Sequence, residues 1–323
     1  MKLKTILCAL AIGSTSIALA QDSVKVDLNT ATFRVLNDDP KLPFVHWRLP
    51  GIGISYGAHN TSYLTTQFGV DWQYNEKWFM SATASINLLD RQSPNSVESG
   101  DAVDGNFVQS IYKPSPSNYV RAEAIYFLKS KEKTSNSNVI VGYSNRKKFT
   151  KDGAHKVLWR SGLNFGLAKG TTWYHLQGDK FSLEEGEIDA EDQSSYLNYT
   201  HLRLGWAFNR SVNFQTESSA NYNQERMSGN YFYANVLIAI QQRFDEVYAY
   251  DTTFNGSSIP AYAKYDVNEF NDMSPIGFEI GWKYIPVNGG FSFHAAAGTL
   301  PGLKGSSNPY FETGVAFSIV SGS

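Results

Sequence analysis

The chain has 323 residues, a formal net charge of -2, and 14% aromatic residues set against a mean hydropathy of -0.33. So small a charge gives no electrostatic case for nucleic acid or another polyanion as partner, and a single cysteine, Cys8, excludes a disulfide framework or a thiolate metal site downstream of it. Beyond the first residues no continuous apolar stretch approaches the ~20 residues a membrane-crossing helix needs, so any passage through a bilayer must be made by strands.

In chain order, residues 1–20 read as a signal peptide: Lys2 and Lys4 precede the apolar run Ile6 to Ile12, and Ala18-Leu19-Ala20 offers small side chains where a signal peptidase cuts. Gly13, Ser14, Thr15 and Ser16 interrupt the run, which argues against a spanning helix. Residues 21–47 are mixed. The stretch VKVDLNTATFRVLNDD alternates briefly before Pro40 and Pro43, leaving open a first strand, an extension or a plug.

From there the chain repeats one pattern. Phe68, Val70, Trp72 and Tyr74 alternate with Gln67, Gly69, Asp71 and Gln73; Asn75-Glu76-Lys77 turns; then Trp78, Met80, Ala82, Ala84, Ile86 and Leu88 resume the apolar face. Period-two alternation is the mark of a strand with two unlike faces, and arms of about ten residues exceed the usual five or six. Shorter strands are expected at Ile52 to Tyr56, Tyr119 to Leu128 and Val139 to Ser144. Alternation returns at Val157 to Leu167, at Leu202 to Phe208, after an expected turn at Asn209-Arg210-Ser211, and at Phe232 to Ile240. It closes with Ile276 to Tyr284, a turn from Pro286 to Gly290, Phe291 to Ala297, and Phe311 to Ile319 before the tail 321–323. The expected total is about twelve to fourteen strands, with no helical period competing.

Connections are unequal: a few residues at Asn75 to Lys77, but long and polar at Arg91 to Ser117, Asp179 to Ser195 and Asp251 to Ser274. Alternation also suits a soluble β-sandwich. The long arms, the aromatics gathered at strand ends (Trp72, Tyr74 and Trp78 around one turn, Trp282 and Tyr284 before another), and the short-then-long connections favour a closed barrel in a membrane. With these features the chain resembles bacterial outer-membrane β-barrel proteins of the porin-like class, over roughly residues 45 to 320. The resemblance implies an all-β, single antiparallel transmembrane barrel over 48–320, located in the bacterial outer membrane. It further implies outer-membrane lipid as partner, short periplasmic turns, and longer outer loops.

If apolar positions face lipid, the alternate ones face the lumen: Asp71, Arg121, Glu123, Arg160, His201, Arg203, Glu217, Arg243, Glu279, Lys283, His294 and Glu312. Setting a cation of this group in mid-bilayer lipid costs about 2–4 kcal/mol. The near balance of signs reads either as a lumen stapled by its own ion pairs or as a water-filled pore with a mixed lining.

Chemistry is sparse. None of His46, His59, His155, His175, His201 and His294 has Ser two residues later, the His-x-Ser arrangement in which barrel lipases resemble one another. The acidic segments LEEGEIDAEDQ (183–193) and DAVDGN (101–106) lack Ca2+-loop spacing, and no phosphate-binding glycine loop occurs. The expectation is therefore no catalytic residue, no metal and no cofactor. The leading function is a non-enzymatic channel for small solutes. The alternative is a closed structural barrel that docks onto other envelope proteins of assembly, secretion or uptake machinery.

Overall fold

A computed structural model describes residues 28–321 apart from 29, 42, 57–61, 91–117, 145–146, 176–180, 184–185, 189–193, 245–246, 252–260, 266–272 and 304–308. The expected signal peptide and both acidic segments fall largely or wholly outside the described residues. No helix among the described residues is long and apolar enough to cross a membrane.

Eleven strands carry the architecture: β1 (Phe33–Asn37), β2 (Phe44–Tyr56), β3 (Ser62–Gln73), β4 (Trp78–Asp90), β5 (Asn118–Ser144), β6 (Lys147–His175), β7 (Ser194–Ser218), β8 (Asn223–Phe244), β9 (Ile276–Pro286), β10 (Gly290–Thr299) and β11 (Pro309–Ser321). From β2 to β11 each strand pairs antiparallel with the next. β11 returns to β2, from Phe311 opposite Tyr56 to Ser321 opposite Val45, and closes a ten-stranded barrel with no free edge in its wall. β1 is an extra strand, paired to the far end of β7.

The wall holds ten strands rather than the expected twelve to fourteen because several expected pairs are single long strands. Tyr119 to Leu128 and Val139 to Ser144 lie on the 27-residue β5. The expected turn at Asn209-Arg210-Ser211 is interior to the 25-residue β7; all three residues hold ladder positions, Asn209 opposite Tyr231, Arg210 opposite Asn230 and Ser211 opposite Gly229. That chain direction reverses instead at Ser219 to Tyr222, where Asn221 takes the left-handed conformation with φ 57°.

The other short turns match their sequence signals. Asn75 accepts hydrogen bonds through Oδ1 from the Lys77 amide (2.8 Å) and the Trp78 amide (2.9 Å), which fixes the reversal between β3 and β4. Gly289 and Gly290, at φ 86° and 116°, make the reversal between β9 and β10 with no Cβ to obstruct it. The turns after β3, β7 and β9 lie at one end of the barrel. β4, β6 and β8 end at the other, where the long polar connections of the sequence begin and where the short β2–β3 connection also begins.

The faces sort as alternation requires. On β4, Phe79, Ser81, Thr83, Ser85 and Asn87 are buried in the lumen, while Trp78, Met80, Ala82, Ala84, Ile86 and Leu88 look outward. These six span about 33 Å along the strand, or about 25 Å of height at a 40° tilt, the depth of an outer-membrane apolar band. Ile52 (63%), Ile276 (62%) and Phe291 (61%) are exposed on the outside, so the apolar rows do not meet in a dry two-sheet interior. Water would not sustain such a surface, whereas hydrocarbon does.

Beyond the short-turn end, β5 and β6 run on together past their other partners. β5 leaves β4 after Tyr126, and β6 leaves β7 at Val157. Their hairpin packs against β1 and the ends of β7 and β8, enclosing Val139, Val157, Val212 and Phe214 with Phe33 beside them. Ser218 donates to the Val141 carbonyl (2.7 Å) and the Ile140 amide donates to Gln224 (2.8 Å), tying the two layers together. The result is a small two-layer extension with its own core. The segment 21–47 thus supplies β1 to this extension. It then crosses beneath the barrel, where the Asp39 carbonyl accepts from Asn213 (2.7 Å) and Lys41 pairs with Glu76 (3.5 Å) and Glu132 (3.2 Å). The wall itself begins at Phe44.

Candidate functional site

The lumen is filled in tiers. At the short-turn end, Phe44 from β2, Phe79 from β4, Ile125 and Phe127 from β5, Tyr231 and Tyr233 from β8, and Ile285 from β9 form a buried apolar cluster with Val287. Phe79 and Tyr231, four strands apart, stack with centroids 4.2 Å apart and planes 26° apart. Arg160 caps this plug. Its guanidinium lies 4.3 Å from the Phe127 ring centroid and donates to Asn209 (2.8 and 2.9 Å), Gln73 (2.8 Å), Ser211 (3.2 Å) and the Glu76 carbonyl (3.2 Å). Among the described residues no carboxylate pairs with Arg160, so hydrogen bonds and the ring face replace the ion partner that the sequence suggested.

The middle tier is an ion network. Arg121 meets Glu312 at 2.9 Å and Glu279 at 3.8 Å, and Arg203 contacts Glu279 and lies 3.9 Å from Glu123. Lys283 contacts Glu123 and donates to Ser81 (3.0 Å), while Arg48 meets Asp71 at 3.0 Å. Tyr119 donates to Glu312 (2.8 Å), Tyr310 to Glu279, and Asn235 to Glu279 (3.2 Å). Four cations and four carboxylates, all buried, balance to zero. Each carboxylate has more than one partner, which is the condition under which buried charge is tolerated.

Above the network, towards the long-loop end, lies a cavity of about 80 Å3. Its lining includes Asn87, Asn118, Tyr199 and His201, with Arg121 and Glu312 beneath.

Of the twelve lumen positions read from the sequence, Asp71, Arg121, Glu123, Arg160, His201, Arg203, Glu279, Lys283, His294 and Glu312 line the interior. Two do not. Glu217 sits where β7 has left the barrel and pairs with Arg34 of β1 (2.7 Å). Arg243 is exposed because β8 carries a bulge between Ala239 and Gln241; one extra residue exchanges the faces beyond it. Sequence reasoning missed Arg48 and His46, which alternate with Trp47 and Leu49 in HWRL; that alternation was the available signal. The expected interfacial aromatics all stand on the outer face near the short-turn end: Trp72 packs edge-on to Tyr74 (5.2 Å), Trp78 against Tyr126 (4.8 Å), Trp282 against Phe232 (6.3 Å) and Tyr284 against Phe293 (6.1 Å).

Among the described residues, hydroxyl and imidazole groups approach each other at Ser81 and at Ser137 without forming a nucleophile–base–orienter set. Ser81 donates to Asp71 (2.7 Å), whose other oxygen lies 3.5 Å from His46, so the carboxylate separates the two. Ser137 is 3.3 Å from His155 in the extension, but that ring stacks on Phe214 at 4.9 Å, and among the described residues no carboxylate hydrogen-bonds it.

No family model matches the sequence, and no curated protein matches it. Among solved structures the chain is similar to in-vitro folded OmpT, an outer membrane protein of Vibrio cholerae, at TM-score 0.19 and 8% identity over 88% of this chain and 100% of that one. It is similar to Salmonella typhi OmpF in complex with daunomycin at TM-score 0.19 and 9% identity, again over 88% and 100%. Likenesses this slight carry no weight beside the closed, apolar-belted barrel itself.

Proposed function

We propose that the protein is an outer-membrane barrel whose lumen is closed by its own side chains, and that it serves as a non-enzymatic anchor presenting its extension to other envelope proteins. The observation that carries this reading is the Phe79–Tyr231 stack across the short-turn end, roofed by a charge-neutral ion network. Barrels near eight strands have interiors just wide enough for side chains to fill, whereas sixteen- to eighteen-stranded porins leave an aqueous channel, and ten strands lie much nearer the first. A solute channel, the leading reading of the sequence, would require both the plug and the network to move aside. The cavity above the network, lined by Asn87, Asn118, Tyr199 and His201, is the feature that favours it.

Conductance in planar bilayers decides between the two. The wild-type barrel is expected to be silent, and small ions are expected to pass only when Phe79→Ala and Tyr231→Ala are combined with Arg203→Ala and Glu279→Ala, which open the plug and the network together. Stable unitary steps from the wild type would overturn the closed-barrel reading.

A further inference from the structure

On the outer face just beyond the apolar belt, at the short-turn end, cations from three strands surround one tryptophan. Trp159 on β6 is paired across the ladder with Lys131 on β5 and with Arg210 on β7, and cross-strand partners share a face. The Lys133 ammonium lies 5.9 Å from the Trp159 ring centroid and the Arg210 guanidinium 5.8 Å from it. Lys129, opposite Ser161, and Arg226, opposite Phe214, extend the same face on either side.

These five cations are at least partly exposed, and no carboxylate stands on this face among the described residues. The nearby acids point elsewhere: Glu132 pairs with Lys41 beneath the barrel, Glu217 with Arg34, and Asp38 with Lys156. In a chain of net charge -2 this is a local surplus. Lysines along an edge strand also deter strand-to-strand aggregation, which accounts for those on β5. It does not account for Arg210, which lies on a strand paired on both sides.

Resting on the membrane reading above, we infer that this patch binds the phosphate headgroups of anionic phospholipids in the leaflet at the short-turn end. Trp159 would sit at headgroup depth while Lys131, Lys133 and Arg210 converge on the phosphate. The height fits. The row holding Trp159, Arg210 and Asn230 continues into Tyr284, one of the interfacial aromatics, so it marks the level at which hydrocarbon gives way to headgroups. Each cation near an anionic surface favours association roughly fivefold, and an 8 Å screening length at physiological salt confines the effect to lipids in contact.

The test is quenching of tryptophan fluorescence in bilayers of dibrominated phosphatidylglycerol against dibrominated phosphatidylcholine, with Trp159→Phe isolating the share of that residue. The wild type is expected to prefer phosphatidylglycerol at Trp159 by about tenfold or more, with the preference falling to near unity in molar salt. It should also fall to near unity in the triple variant Lys131→Ala, Lys133→Ala, Arg210→Ala. Because these side chains are surface-exposed or half-exposed, the variant should keep the heat-modifiable gel mobility of a folded barrel. Equal quenching by both lipids in the wild type, or a preference that survives the triple substitution in a folded barrel, would overturn the assignment. Absence of quenching by either lipid would instead overturn the membrane reading, and the headgroup site with it.

Discussion

Glu279 shows how tightly the interior is specified at the scale of single residues. It receives Arg203, Tyr310 and Asn235 and lies within 3.8 Å of Arg121. Replacing it by Ala strands a buried guanidinium, and the expected loss in denaturant unfolding from lipid vesicles is about 3–5 kcal/mol. Replacing Glu279 and Arg203 together by Met should recover most of that loss, since a packed apolar pair does not need a counter-ion. At Gly281 a Cβ would come within 2.6 Å of the Tyr233 ring, so Gly281→Val should cost about 1–3 kcal/mol by displacing that tyrosine from the lumen. Most inward positions were legible because a period of two leaves no other face for charge in a lipid-exposed wall. Arg243 was not, because a bulge is invisible in alternation, and Glu217 was not, because nothing local marks where a strand leaves the barrel.

At the scale of elements, β5 to β8 hide their length in the sequence. The polar stretch from Lys129 to Asn138 looks like a loop, yet it is strand because its backbone pairs with β6 and its surroundings are aqueous rather than apolar. Composition reports what a strand faces, not whether it continues. The extension built from these overruns depends on Phe214. Phe214→Ala should remove about 3–5 kcal/mol of local stability and make residues 128–156 sensitive to protease while the barrel keeps its heat-modifiable mobility. His155 adds a pH dependence. Burial and the nearby Arg226 and Arg210 guanidiniums hold its imidazole below the ordinary value of 6.5. The unfolded hairpin therefore takes up the proton first, and the extension loses stability as pH falls below about 6.5, continuing down to the depressed folded value. Protease sensitivity of the hairpin should rise from pH 7.5 to pH 5 in the wild type and stay level in His155→Phe. A flat wild-type profile would contradict this role.

For the whole molecule, closure follows from the solvent. A sheet edge left open in hydrocarbon leaves unpaired amides and carbonyls that cost several kcal/mol each, so a wall with apolar outer rows must return on itself, as β11 does to β2. The long polar connections after β4, β6 and β8 all leave from one end of the wall, as their alternation with short turns suggested, although the short β2–β3 connection leaves from that end too. The number of strands was not legible, because merging two expected strands into one leaves every local pattern unchanged. Nor was the filled lumen. Alternation places charges inside without saying whether they meet, and that depends on a ten-strand diameter bringing Arg203 to Glu279 and Phe79 to Tyr231.

The most direct test uses cysteines introduced one at a time. In a Cys8→Ser background, single cysteines at Ala234, Asn235 and Val236 sample successive outward, inward and outward positions of β8. In the reconstituted barrel, Ala234→Cys and Val236→Cys should react with an apolar maleimide and resist a charged, membrane-impermeant one, while Asn235→Cys should resist both. Labelling of positions 234 and 236 by the charged reagent, with 235 behaving no differently, would contradict an apolar exterior around a sealed interior.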